Sequence, residues 1–159
     1  MWYQFDKNKD SSLVSGWTKQ KTAALVQRLA PKYDLDPLIV MAVMSGESGG
    51  MPVGVYGQTR SREGSPSKAI SANSTAYGSG QITLPTYEYI KDKIGVPHYM
   101  LWNPNYGIEA TIAVIKLKID KRGSLERGMA AYAGSAAGGR RKMNAIRKAF
   151  ANAGRKVPA

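Results

Sequence analysis

Glu47 is the residue around which chemistry can be built. Counting back from it by four gives Val43 and then Ile39, so its carboxyl continues the apolar row of a helix instead of standing among polar residues. It also falls in that helix's last turn, where the partial negative charge of the helix end disfavours an ionised acid. Burial and dipole both push its pKa upward, the tuning that a general acid needs near neutral pH. The plain alternative is a helix that simply ends here, with Glu47 turned into solvent beside Gly49-Gly50. The next carboxylate along the chain, Glu63, is the candidate for a second catalytic acid. Its setting, Arg60-Ser61-Arg62-Glu63-Gly64, reads more simply as an ion-paired loop. There is no cysteine, hence no thiol nucleophile, disulfide framework or thiolate zinc site, and a single histidine, His98, cannot build a multi-histidine metal site. Lying in Gly95-Val96-Pro97-His98, it reads as a surface loop residue and not as the base of a Ser-His-Asp triad. Hydrolytic chemistry must then rest on carboxylates, and it needs no cofactor and no metal.

The elements that would hold these residues are helical throughout. Thr18 to Tyr33 has Leu25, Leu29 and Tyr33 four apart with Val26 beside them, while Lys19, Gln27 and Arg28 take the wet side. Asp36-Pro37 supplies an N-cap and a first-turn proline for the next helix, whose body Leu38 to Met44 is apolar all round and should be buried, with the others wrapped about it. Residues 51–75 are rich in Gly, Ser, Pro and Arg without a sustained period, predicting a long ordered loop with a short hairpin around Val53 to Tyr56. Thr86 to Ile94 reads as a short helix. Asn103-Pro104 opens another over Asn105 to Asp120, with Ile108, Ile112, Ile115 and Leu117 facing the core, and Gly123-Ser124 caps a helix from Leu125 to Tyr132. Beyond Gly138-Gly139 a last helix, 139–154, carries Met143, Ile146 and Phe150 inward. Its other face holds Arg140, Arg141, Lys142, Arg147 and Lys148.

At 159 residues, 43% of them hydrophobic and 21% charged, the chain suits one all-α domain spanning 1–159, with residues 1–15 as a loose polar arm. The longest apolar run is far short of the roughly 20 residues that a bilayer needs, and the N-terminus has no apolar signal-peptide core. Twenty-three Lys and Arg against eleven Asp and Glu give a formal charge of +12. A polyanionic partner follows: nucleic acid, anionic lipid or the bacterial wall. Tyr56, Tyr77, Tyr87, Tyr89, Tyr99 and Trp102 gather in the middle third, where they could stack on bases or sugars or belong to core and rim.

Three ordered blocks resolve this choice, because together they make the chain resemble the lytic transglycosylases of the lysozyme superfamily over roughly Thr18 to Ser135. The first is a helix ending in Gly46-Glu47-Ser48-Gly49-Gly50. The second is Ser74-Thr75-Ala76-Tyr77-Gly78-Ser79-Gly80-Gln81-Ile82-Thr83, which is similar to the Gly-x-x-Gln segment lining the sugar cleft in that family. The third is Ala130-Ala131-Tyr132, similar to an Ala-Tyr-Asn block whose Tyr lies near the catalytic Glu. The resemblance implies a lysozyme-like fold with a buried central helix, the loop 51–75 at the cleft rim, Glu47 as acid/base, and Ser48, Tyr77, Ser79, Gln81, Thr83 and Tyr132 as substrate-binding residues. Two departures stand out: Ser79-Gly80 replaces the usual Leu-Met, and Ala133 stands where Asn follows the Tyr.

Glycosidases generally need two carboxylates. The resembled family manages with one Glu, which implies cleavage of the MurNAc-GlcNAc β-1,4 bond with Glu47 as acid and then base, leaving a 1,6-anhydro end. The near alternative is a hydrolytic muramidase with Glu63 guiding water, and the distant one is a non-enzymatic basic module binding wall polymer or nucleic acid. Wall peptidases and amidases usually rely on Cys-His pairs or zinc, which this composition denies. The partner implied is peptidoglycan, met by a monomer, with the basic last helix suited to an anionic bacterial membrane or lipopolysaccharide. Charge and the missing signal peptide point to a phage-borne lysin or virion component acting on the wall in the periplasm.

Overall fold

The computed structural model describes residues 16–48, 76–77, 80 and 82–158, with the side chains of residues 47, 48, 76, 77, 99 and 102 excepted. The N-terminal arm, the loop 51–75 and the hairpin expected at Val53 to Tyr56 lie outside these residues. Within them the chain is built from helices, with one two-residue strand pair.

Helix α1, Lys19–Leu29, starts where the Thr18 hydroxyl accepts a bond from the Lys21 amide at 3.1 Å. Leu25, Val26 and Leu29 are buried while Lys19, Gln27 and Arg28 are exposed, as the amphipathic pattern requires. The α-helix expected to continue to Tyr33 instead tightens into a 3₁₀ turn over Ala30–Tyr33, because Pro31 has no N–H to extend the ladder. Helix α2, Pro37–Ser48, begins with the Asp36 carboxylate accepting from the Leu38 amide at 3.0 Å. Ile39, Val40, Ala42, Val43 and Met44 are all buried, so this helix is enclosed as its apolar composition demands.

Strands β1, Ala76–Tyr77, and β2, Ile82–Thr83, pair antiparallel, Ala76 opposite Thr83 and Tyr77 opposite Ile82. The single helix expected over Thr86 to Ile94 is two short ones, α3, Leu84–Tyr87, and α4, Lys91–Ile94. Between them Ile90 leaves helical geometry at φ −124° and ψ 0°. Tyr87 and Ile90, each 2% exposed, enter the same cluster. A 3₁₀ turn, His98–Trp102, then leads to α5, Pro104–Arg122, whose N-cap Asn103 accepts from the Asn105 amide at 3.0 Å.

Helix α5 shares the centre with α2. Ile108, Ile112 and Ile115 pack into one apolar cluster with α1, α2 and the last two helices, while Ala110, Ala113 and Val114 on the opposite side join Ile82, Tyr87, Ile90 and Leu101 in a second. Leu117, expected in line with the three isoleucines, packs instead toward the second cluster, because two residues beyond Ile115 is roughly 200° around a helix. Helix α6, Leu125–Ala133, is capped by Ser124 and closed by Gly134 at φ +77°, a left-handed turn that suits glycine.

The last helix, α7, runs over Ala136–Asn152 and starts earlier than Gly138-Gly139 suggests. Those glycines do not break it. A Cβ at Gly139 would sit 2.6 Å from the Ala130 Cα, and one at Gly138 2.7 Å from the Ala133 Cβ, so they are the contact that lets α7 lie against α6. The Ser135 hydroxyl caps the helix through the Gly138 amide at 3.0 Å. No helix among the described residues is long and apolar enough to cross a membrane.

Candidate functional site

The C-terminal end of α6 is where the three sequence blocks meet. The Tyr132 hydroxyl donates to the Gly80 carbonyl oxygen at 2.6 Å, joining positions 52 apart in the chain. Tyr132 is partly buried at the seam of the two apolar clusters, touching both. One residue on, Ala133 lines a cavity together with Gly46, the residue immediately before Glu47. The Glu47 end of α2, the Gly80 segment and Tyr132 are therefore held round a single helix terminus.

Gly80 is held there by fit. An added Cβ would lie 2.3 Å from the Thr111 Oγ1, 2.7 Å from its Cγ2 and 2.6 Å from the Tyr132 hydroxyl. Thr111 cannot step aside easily, since it is fully buried and its hydroxyl donates to the Gly107 carbonyl at 2.7 Å within α5. The departure from Leu-Met at Ser79-Gly80 thus has a structural reason at its second position: no side chain fits. Thr111 was not among the residues singled out from sequence. A buried threonine inside a helix carries no motif signal, and its role comes only from what packs on it.

Two of the cavities at the α6 terminus adjoin the Gly80 and Gly46 segments. One, of about 130 Å³, is lined by Gly80, Ile82, Thr83, Thr86, Lys118 and Tyr132 among others. At that size it can be only part of a ligand site, since whole sites run to roughly 300–1,000 Å³. The other, of about 330 Å³, has Ala42, Gly46, Ala133, Gly138 and Ala145 as its small-residue lining, with Arg141 and Lys142 contributed by α7. The Lys142 ammonium also stands 5.3 Å from the centre of the Tyr132 ring, where a cation is attracted to the π face. Among the described residues no carboxylate lines either cavity.

Of the residues expected at the site, Thr83 and Tyr132 share a cavity, and Tyr77 pairs through its backbone with Ile82. The Thr83 hydroxyl donates to the Thr86 hydroxyl at 3.3 Å. Glu47 and Ser48 form the last residues of α2, and Glu47 keeps its helical place on the Ile39-Val43 row, both of which are buried. Their side chains, like Glu63, Ser79 and Gln81, lie outside the described residues.

His98 corrects an expectation. It is not a surface loop residue: it opens the 3₁₀ turn partly buried, its ring 5.6 Å from that of Tyr87. Its Nε2 lies 2.7 Å from the Ile82 carbonyl oxygen, and because a carbonyl only accepts, that nitrogen carries the proton. Burial pulls the imidazole pKa below the usual 6.5, outweighing the opposite pulls of the Ile82 carbonyl and of Glu88. His98 is thus a strut under β2, the strand that carries Thr83 into the cavity. Of the clustered aromatics, Tyr87 is core, its hydroxyl bonded to the Val96 carbonyl, and Tyr89 is exposed under the Lys121 ammonium. Tyr56 and the side chains of Tyr77, Tyr99 and Trp102 lie outside the described residues.

A family model described as Transglycosylase SLT domain matches residues 24–157, from α1 past the end of α7. No curated protein and no solved structure gives a significant match. The matched span holds all the described elements that meet at the site, and on it the chain belongs to the SLT transglycosylases, lysozyme-like all-α enzymes that degrade peptidoglycan.

Proposed function

We propose that the chain cleaves the MurNAc-GlcNAc β-1,4 bond with Glu47 as its one catalytic carboxylate. The observation that carries this reading is the convergence at the end of α6: Tyr132 bonded to Gly80 on one side, Ala133 sharing a cavity with Gly46 on the other. Glu47 follows Gly46 directly, on a row of buried aliphatic residues near the negative end of α2. As the acid, Glu47 donates its proton to the glycosidic oxygen. After departure of the leaving sugar, the resulting carboxylate takes the proton of the muramic 6-hydroxyl as that oxygen attacks C1, closing a 1,6-anhydro ring. Proton and charge balance without water entering the product, and no second carboxylate is called on.

Ser48, Tyr77, Ser79, Gln81, Thr83 and Tyr132 are proposed to bind the glycan, Thr83 and Tyr132 from the walls of one cavity. Exposed Arg140, Arg141, Arg147 and Lys148 on α7 would draw the enzyme to anionic bacterial surfaces. Digestion of purified peptidoglycan by wild type and Glu47→Gln, followed by mass analysis of the products, tests the reaction. Anhydro-muropeptides released by wild type alone are the expected result. Products heavier by one water would make the enzyme a muramidase, and full activity in the Gln variant would remove Glu47 from the chemistry.

A further inference from the structure

Arg140 and Arg141 are neighbours on one basic helix, yet they line different cavities. Arg140 lies with Glu126, Ala130, Met143 and Arg147 on the far side of α6. Arg141 lies with Lys142 beside Gly46 and Ala133, next to the end of α2 that bears Glu47. Arg147 spends its charge on Glu126 at 3.2 Å, while among the described residues no carboxylate pairs with Arg141.

The lining of the Arg141 cavity makes it a container with a charged edge. Ala42, Gly46, Ala133, Gly138 and Ala145 offer almost no side-chain volume, and a Cβ at Gly46 meets no described atom within 4 Å. Ala133 contributes only a methyl group, and Gly138 cannot grow because that methyl is 2.7 Å from where its Cβ would stand. At about 330 Å³ the space reaches the range of real ligand sites, and the directional groups known there are cationic. Arginine's planar fork matches a carboxylate better than any other anion acceptor of similar size except phosphate.

Peptidoglycan presents such a group at a fixed place, because each muramic sugar carries a lactyl arm extended by a short peptide rich in free carboxylates. If the glycan is cut at Glu47, that arm branches from the sugar within a few ångströms of the bond being broken. We infer that the cavity between the end of α2 and the first turns of α7 is a subsite for a carboxylate of the peptide arm, held by Arg141 with Lys142 beside it. This inference rests on the proposed cleavage at Glu47 and adds to it a reason for the enzyme to prefer strands that still carry charged peptides.

The test uses glycan strands with intact peptides and the same strands after their carboxylates have been converted to carboxamides. Muropeptide release is followed for wild type, Arg141→Ala and Arg140→Ala, the last matching the charge change while lining the other cavity. Wild type should lose about tenfold in kcat/KM on the amidated strands, the scale of one charge-assisted hydrogen bond at a solvent-open edge. Arg141→Ala should lose about the same on native strands and little more on amidated ones, so that the two changes fail to add. In Arg140→Ala, whose weaker steering acts on both substrates, the ratio of native to amidated strands should stay that of wild type, about tenfold. Equal losses for Arg141→Ala on the two substrates, or no loss on either, would overturn the subsite. No release by wild type from either substrate would instead sink the cleavage at Glu47, so the two failures are told apart.

Discussion

Gly80→Ala offers the sharpest test of how the site is held together. Its φ is not in the left-handed region, so alanine is conformationally allowed, and the stiffer residue alone would stabilise the fold by about 0.4–1 kcal/mol. Packing opposes this. The new methyl would stand 2.3 Å and 2.7 Å from the Oγ1 and Cγ2 of Thr111 and 2.6 Å from the Tyr132 hydroxyl, against contact distances of roughly 3.5–4.0 Å. Relief needs a shift of about 1 Å, and Thr111 is β-branched, fully buried and bonded to Gly107. Overpacking of this kind costs about 1–3 kcal/mol, so the net loss should be about 1–2 kcal/mol, or a fall of about 2–8 °C in Tm for a chain of this length. Activity should suffer more than stability. A backbone displaced by about 1 Å beside a reacting centre can cost up to ~100-fold in rate. Denaturant unfolding and muropeptide release would be measured for Gly80→Ala alone and in a Thr111→Ala, Tyr132→Phe background, which removes all three clashing atoms. There the substitution should cost nothing. A penalty that persists in that background, or no penalty in the wild type, would refute the account of Gly80 as seated by contact.

Two further outcomes follow from single side chains. Tyr132→Phe removes the donor to the Gly80 carbonyl but keeps the ring under Lys142; the orphaned carbonyl should cost about 1–2 kcal/mol in chemical denaturation, and an unchanged midpoint would show the bond to be idle. For His98, burial holds the folded-state pKa below 6.5, so the unfolded chain takes up the proton first as the solution is acidified. The stability tied to its neutral form is full above about 6.5 and is lost as pH falls toward the lower folded value. Wild type should therefore weaken as pH falls below about 6.5, and His98→Gln should flatten that slope in paired denaturation curves; parallel curves would leave His98 without a part in it.

Much of this architecture could be read from residue order because it depends on local rules. Thr18, Asp36-Pro37, Asn103-Pro104 and Ser124 each announce a helix start, and each caps one. The places where reading failed are those where a distant partner decides. Gly138-Gly139 looks like a breaker, yet it lies in the first turn of α7 with Ala130 and Ala133 packed against it. His98 looks like loop surface until Ile82 accepts its proton from sixteen residues away. Ala110, Ala113 and Thr111 bury the second side of α5 without forming a visible apolar stripe, since small residues signal burial weakly. The glycines that matter were visible as glycines, but not as contacts.

The same division runs through the charge. A net +12 predicts attraction to a polyanion at long range, and every lysine and arginine contributes to it equally. What distinguishes Arg141 from Arg140 is a rotation of roughly 100° about α7, enough to move one guanidinium from the Glu126 side to the Gly46 side. Removing either changes the steering field by the same amount, so on-rates and salt dependence should respond alike. Only a substrate with a carboxylate beside the cleaved bond can tell them apart, which makes discrimination between the two arginines a property of α7's register against α2 and α6. That register is set by Gly138 and Gly139, where any side chain would push the helix away from Ala133 and Ala130. Two residues without side chains thus place the charges that α7 brings to the end of α2.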